Sequence, residues 1–348
     1  MNLVTLIIPT YNRPELLKRI LNYYNNYNIN FSIIVADSSK LSNKNLNKKI
    51  VHCFPKLKIL YLDKFSPDLV SHHKFGKTVN YVKTKYCVFC ADDDFVVPNG
   101  IKEAVDFLEK NTDYSAAHGT YIHFYIFNNP LGIKKFWWNY KYSYESITSS
   151  NSVRRLADHL ANYNVSVLWA VRRTNMLKVC YKEFLKSDVN PWLFGELLPD
   201  IQTLIYGKMK RLNNFYSARQ AFSTSYSHWP TLKDAIAAGT YNNEYAKFKA
   251  CLIGSLAKNS NLSKDKLSNL IDLNMKIHIG YSTQEHITGR VNVILKNFSF
   301  LLKIIELLHA KYLFSKPKKD PIGLIDNYSS KYFNDFNRIS QIILGHKD

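Results

Sequence analysis

Cysteine is scarce and unpaired in this chain. Its five copies, Cys53, Cys87, Cys90, Cys180 and Cys251, are odd in number and scattered. Cys87 and Cys90 have the spacing of a metal or redox pair, yet they lie in an apolar run with no second pair. That excludes a disulfide framework and argues against zinc, and it fits a reduced, cytoplasmic setting. No apolar stretch approaches the ~20 residues needed to cross a bilayer, and the N-terminus has no charged segment leading into an apolar one. A soluble or peripheral protein is expected. The glycine-rich patterns GxxxxGK[ST] and GxGxxG are missing, which argues against an ATPase and a Rossmann dehydrogenase. GxSxG is missing too, and the histidines form no His-x-x-x-His ligand pair. Acidic residues are few, 27 against 47 Lys and Arg, leaving a net charge of +20 over 348 residues. Such a balance invites nucleic acid, an anionic membrane surface or phosphorylated substrates. The lysines are scattered without a nucleic-acid-binding fingerprint, which counts against the first of these.

Against that basic background stands one acidic cluster. Tyr86-Cys87-Val88-Phe89-Cys90 reads as a short buried strand, apolar and without charge. It runs into Ala91-Asp92-Asp93-Asp94-Phe95-Val96-Val97-Pro98. Three adjacent carboxylates repel and raise one another's pKa unless a cation joins them. Hard oxygen ligands of this kind suit Mg²⁺ or Mn²⁺ shared with substrate phosphates. A solvated acidic turn is the alternative. The carboxyl end of a core strand favours the site, because open α/β sheets bind ligands there.

The pattern around it is α/β. Apolar strands are predicted at Leu3 to Ile8, Phe31 to Ala36 and Lys58 to Leu62, with helices at Glu15 to Tyr24 and Lys74 to Lys83, implying a parallel sheet with right-handed crossovers. Polar residues collect where these strands end: Thr10 to Arg13, Asp37, Asp63 and Asp92 to Asp94. A helix over Asn99 to Glu109 and strands near Ser115 to Tyr125 and Val165 to Val171 follow. The aromatic and basic run Lys134 to Tyr144 between them is a lid, an interface or a sugar-stacking platform. A helix over Pro199 to Lys210 and a short strand near Phe215 close the domain. Beyond Pro230 the sequence turns to amphipathic helices at Leu232 to Ala257, Lys264 to Ile279, Val291 to Phe314 and Ile322 to Leu344. A boundary is therefore placed at residue 230, with residues 231–348 as a helical, basic extension. The apolar stripe at Val291 to Phe314, with Lys296, Lys303 and Lys311, suits an anionic lipid surface, core packing or contact with a second copy.

Val4-Thr5-Leu6-Ile7-Ile8-Pro9-Thr10-Tyr11-Asn12-Arg13-Pro14, Asp37-Ser38-Ser39 and Ala91-Asp92-Asp93-Asp94 resemble, in that order and spacing, three elements of the family 2 glycosyltransferases of GT-A fold. The resemblance covers residues 1–230. It implies a GT-A domain that binds a nucleotide-diphosphate sugar, with Pro9, Thr10, Tyr11, Arg13, Asp63, Asp92 and Asp93 at the donor and Asp37 on the nucleobase. Asp92 and Asp94, the latter ranked first, would hold Mn²⁺ or Mg²⁺, with His228 as a further contact. The family often has Asp where Ala91 stands. Inverting members use the Asp of a Glu-Asp pair as base, followed about a helix length later by Gly. Here Glu196 precedes Gly207 by that length and Asp200 follows one turn on, so Glu196 is ranked first and Asp200 second. The acceptor would be a glycan, a lipid-linked glycan or a protein, in cell-surface polysaccharide synthesis. A nucleotidyltransferase on the same fold and a non-catalytic protein binding nucleic acid or an anionic surface are the alternatives.

Overall fold

The computed structural model describes residues 3–128, 134–140, 145–161, 163, 167–221, 231–296 and 330–345. The chain opens with β1 (Val4–Thr10), α1 (Pro14–Asn26), β2 (Ser32–Asp37), α2 (Leu41–His52), β3 (Ile59–Leu62), α3 (Ser71–Val79) and β4 (Tyr86–Phe89). β1 pairs in parallel with β2 and β4, and β2 with β3, as alternating strands and helices demand. Leu6, Ile7 and Ile8 are fully buried. A strand covered on both faces needs such a continuous apolar run, and each of these side chains contributes roughly 1.5–3 kcal/mol.

The second half of the sheet is mixed. β5 (Phe95–Val96), α4 (Pro98–Lys110), β6 (Tyr114–Asn128) and β7 (Lys134–Tyr140) follow the acidic turn. After α5 (Ser152–Ala161) comes a 3₁₀ turn (Val167–Trp169), then β8 (Val171–Arg173), α6 (Thr174–Lys186), α7 (Pro191–Phe194), α8 (Leu197–Tyr206) and β9 (Lys208–Gln220). The sheet order is β3-β2-β1-β4-β8-β6-β9-β5, with β7 on β6. β8 runs antiparallel to β4 and to β6, and β5 antiparallel to β9. The expectation of a parallel sheet thus holds for β1 to β4 and for the β6–β9 pair, while β8, β5 and β7 run antiparallel to their neighbours. The strand expected over Val165 to Val171 is a 3₁₀ turn followed by three strand residues. The helix expected to reach Lys210 stops at Tyr206. At Gly207 the backbone is extended, and a Cβ there would meet the Ser115 Cβ at 2.7 Å and its nitrogen at 2.8 Å. Only glycine allows that approach of β9 to β6.

Helices α9 (Leu232–Ala237), α10 (Tyr241–Ala257), α11 (Lys264–Lys296) and α12 (Phe333–Leu344) complete the described chain. The single helix expected over Leu232 to Ala257 is split at Gly239, whose φ of +71° ends α9. Phe248, Leu252, Leu256, Leu267, Ile271 and Met275 are buried in the same apolar cluster as β1 and β4. α10 and α11 pack on α8 and α5, and α12 returns to α1. There Asn99 and Tyr27 both donate to Asp335, and Arg338 lies over the Tyr27 ring. The apolar stripe expected at Val291 to Phe314 lies largely outside the described residues, as do the first residues of the helix expected from Ile322.

Candidate active site

Three loops meet at the carboxyl ends of β1, β2 and β4. The first leaves β1 at Thr10 and enters α1 at Pro14, where proline at the first helical position needs no N–H partner. Asn12 takes a φ of +55°, a left-handed conformation asparagine tolerates better than most residues. Its amide N–H donates to Ser39 Oγ at 2.8 Å, and its side-chain oxygen accepts from the Lys40 N–H at 2.9 Å. The β1 loop and the β2 loop are thereby tied together.

Asp37 ends β2 fully buried. Its carboxylate accepts from the Ser39 N–H at 2.7 Å, Asn47 Nδ2 at 2.8 Å and the Tyr61 hydroxyl at 2.7 Å. Burial and this bond push the Tyr61 phenol upward. Asp63 lies exposed one residue beyond β3.

The acidic turn is deeply buried: Asp92 is 0%, Asp93 4% and Asp94 5% exposed. Each carboxylate has a cationic partner. Arg13 sits 2.5 Å from Asp92 and 2.8 Å from Asp93, and Thr10 Oγ1 donates to Asp92 at 2.7 Å. Asp94 accepts from Arg219 Nε at 3.0 Å and from the Gln220 N–H at 2.9 Å. Arg19 clamps the turn from α1, donating to the Asp93 carbonyl and to Gln220 Oε1. Burial pushes Asp92 up to about 7 against the pull of Arg13, and Asp94 up to about 6 against that of Arg219. Asp92 and Asp94 thus face opposite partners, one toward β1 and the other toward the end of β9.

A cleft of about 310 Å³ opens beside this turn, lined by Pro9, Thr10, Tyr11, Arg13, Ser38 and Lys74, with Leu69, Phe75, Trp169 and Trp192 forming apolar walls. Lys74 was not singled out from the sequence. It is 3% exposed, and its ammonium donates to the Thr10 carbonyl at 3.0 Å and to Ser38 Oγ at 2.8 Å. Burial lowers it to about 8, with Asp92 and Asp37 pulling the other way. The one sequence signal was a lysine on the face of α3 that also carries Phe75 and Thr78, all buried. Arg219 lies 4.8 Å from the Trp169 ring centre, linking that wall to Asp94.

Glu196 stands just before α8, half-buried, and accepts from the Tyr163 hydroxyl at 2.8 Å. Asp200, one turn on, is wholly buried, with Arg172 Nη1 at 3.8 Å and equally buried. Neither lines the cleft described above. His228 lies outside the described residues.

The model of glycosyl transferase family 2 matches residues 5–172. That part of the chain is a family 2 glycosyltransferase domain. The structure of Staphylococcus aureus TarS residues 1–349 in complex with UDP-GlcNAc has the same fold, with a TM-score of 0.55 at 13% identity over 85% of this chain and 78% of that one. The UDP complex of the same TarS fragment gives 0.51 at 13% identity, covering 85% and 77%. No curated protein sequence matches the glycosyltransferase significantly. Its sheet and helices are those of a GT-A domain with further helices after it. No described helix is long and apolar enough to cross a membrane.

Among the described residues no three His, Cys, Asp or Glu side chains group to hold a metal ion by themselves. Mg²⁺ and Mn²⁺, however, are usually held by one or two carboxylates and complete their shell with substrate phosphates. The buried, hard-oxygen triplet of this glycosyltransferase fits an ion that arrives with a diphosphate. Asp92 and Asp94 are already paired with Arg13 and Arg219, so the remaining ligands of such an ion would be phosphate oxygens.

Proposed function

We propose that the chain moves a sugar from a nucleotide-diphosphate donor to an acceptor hydroxyl, with inversion at the anomeric carbon. The observation that supports it most is the convergence of Thr10, Arg13 and Lys74 on one cleft beside a buried acidic turn. Backbone and cationic groups there suit a diphosphate, and the Trp169 and Trp192 walls suit a flat base or a sugar face. Asp37 is the residue proposed to meet the nucleobase, its buried carboxylate held by Ser39, Asn47 and Tyr61. Asp92 and Asp94 would hold Mn²⁺ or Mg²⁺, which when bound neutralises charge on the departing diphosphate. Arg13 and Lys74 bind and orient the same phosphates.

Glu196 is the proposed base. The acceptor oxygen forms its bond to the anomeric carbon as the bond to the diphosphate oxygen breaks. The hydroxyl proton passes to Glu196, and the nucleoside diphosphate leaves with the electron pair. Release of nucleoside diphosphate from a panel of nucleotide sugars tests the reading, with UDP-GlcNAc tried first. No release from any of them would contradict it. The same reading places the enzyme in the cytoplasm, working on a surface glycan, lipid-linked glycan or protein, with its basic C-terminal region on an anionic membrane or a second copy.

A further inference from the structure

Glu196 precedes α8 without capping it: its side chain makes no hydrogen bond to the first turn of the helix. The bond described for its carboxylate comes from elsewhere, the Tyr163 hydroxyl at 2.8 Å. Tyr163 is in turn held edge-on by two histidines. His159 of α5 meets its ring at 5.0 Å and 73°, and His278 of α11 at 5.1 Å and 85°. Both imidazoles are buried, at 3% and 7% exposed. α11 reaches this place because Leu267, Ile271 and Met275 bury its inner face, where it packs along α5.

We infer that Tyr163 is a positioning residue for Glu196 and that α11, through His278, holds it in place. The helices after residue 231 then serve the chemistry by geometry, without touching substrate. The inference rests on Glu196 being the base. A carboxylate that accepts one fixed hydrogen bond has one rotamer favoured, and a general base must lie within hydrogen-bond reach of the proton it takes. Among the described residues, His72 of α3 and Tyr181 of α6 also interact electrostatically with Glu196. Burial holds His72 down to about 4 and drives Tyr181 upward, and it lowers His159 to about 3 and His278 as well. Near neutrality all four rings are uncharged, so none of them competes with Tyr163 as a cation.

The test compares Tyr163→Phe, His278→Leu, Glu196→Gln and the double variant Tyr163→Phe/Glu196→Gln in full-length enzyme, by nucleoside diphosphate release. Tyr163→Phe keeps the ring and removes one O–H. Its kcat should fall about 10–100-fold, the worth of a hydrogen bond to a charged group, with donor KM within about twofold. His278→Leu should lower kcat several-fold in the same direction. The double variant should be no slower than Glu196→Gln alone, since residues acting as a unit are not additive. Wild-type kcat in Tyr163→Phe, or a loss that appears in donor KM rather than in kcat, would overturn the inference. So would an equal further loss in the Glu196→Gln background, which marks a merely structural tyrosine. Full turnover by Glu196→Gln would instead overturn the base assignment itself, and the inference with it.

Discussion

Thr10 and Asp92 lie 82 positions apart, and the hydroxyl of the first donates to the carboxylate of the second at 2.7 Å, both fully within the protein. They cap the adjacent parallel strands β1 and β4, so the donor-side loop and the acidic turn move as one body. Thr10→Val keeps the shape and removes the donor. Leaving a buried carboxylate oxygen without it should cost about 1–3 kcal/mol of stability and weaken donor binding in parallel. A melting curve and donor KM check this. An unchanged melt with unchanged KM would show that the bond carries neither.

The two helix-start carboxylates should separate cleanly. Glu196→Gln should keep donor affinity and lose roughly 10²–10⁴-fold in turnover, the usual worth of a positioned base. Asp200→Asn should do the reverse. It strips the charge facing fully buried Arg172, and breaking a buried pair on one side costs about 3–5 kcal/mol. The melt should drop while turnover per folded molecule stays close to wild type. A stable but inactive Asp200→Asn variant would make Asp200 the base.

Much of this was legible from the chain alone. The apolar strands β1, β2 and β4 and the polar residues at their ends follow from patterning, because a strand buried on both faces tolerates little else. α2 was missed: its Lys- and Asn-rich sequence buries only Asn47 and Ile50, too few for a helical stripe. In the mixed half, strands were expected within β6 and β9, but β5 was missed and β8 was placed too early, because two and three residues are shorter than any periodicity. Lys74 and Asp94's partner Arg219 were invisible as site residues for another reason. Their meaning lies in contacts across 64 and 125 positions, which no local spacing encodes.

Lys74 should make donor binding pH-dependent. Its amine sits at about 8 in the folded protein against 10.5 for an exposed lysine. Between those values the unfolded chain binds the more protons, so this group's penalty on stability fades as pH rises through the window. Its charge, and with it the attraction for a diphosphate, is present below about pH 8 and lost above. Donor KM should therefore rise between about pH 7 and about pH 9. In Lys74→Met it should be high and flat across that range. A flat wild-type profile would remove Lys74 from the donor site.

Membrane docking is best tested without truncation, because Phe248, Leu252 and Leu267 belong to the core shared with the sheet. Replacing Lys316, Lys318 and Lys319, the basic run that follows the apolar stripe in the sequence, by Glu changes none of the described core residues. At about 1 kcal/mol per basic residue near an anionic surface, the triple variant should lose flotation with anionic vesicles that the wild type shows at low salt. Wild-type protein that stays at the bottom with every lipid would end the membrane reading.

The central claim is that the cleft between Thr10, Arg13 and Lys74 holds a nucleotide-diphosphate sugar beside the acidic turn. Titration calorimetry of the full-length protein with UDP-, GDP- and CMP-linked sugars, with Mn²⁺ and with EDTA, measures it directly. The account predicts that one nucleotide class binds in Mn²⁺, weakens in EDTA, and is lost both in Asp94→Ala and in Lys74→Met. Binding of none of these sugars in Mn²⁺, or equal binding by both variants, would contradict it.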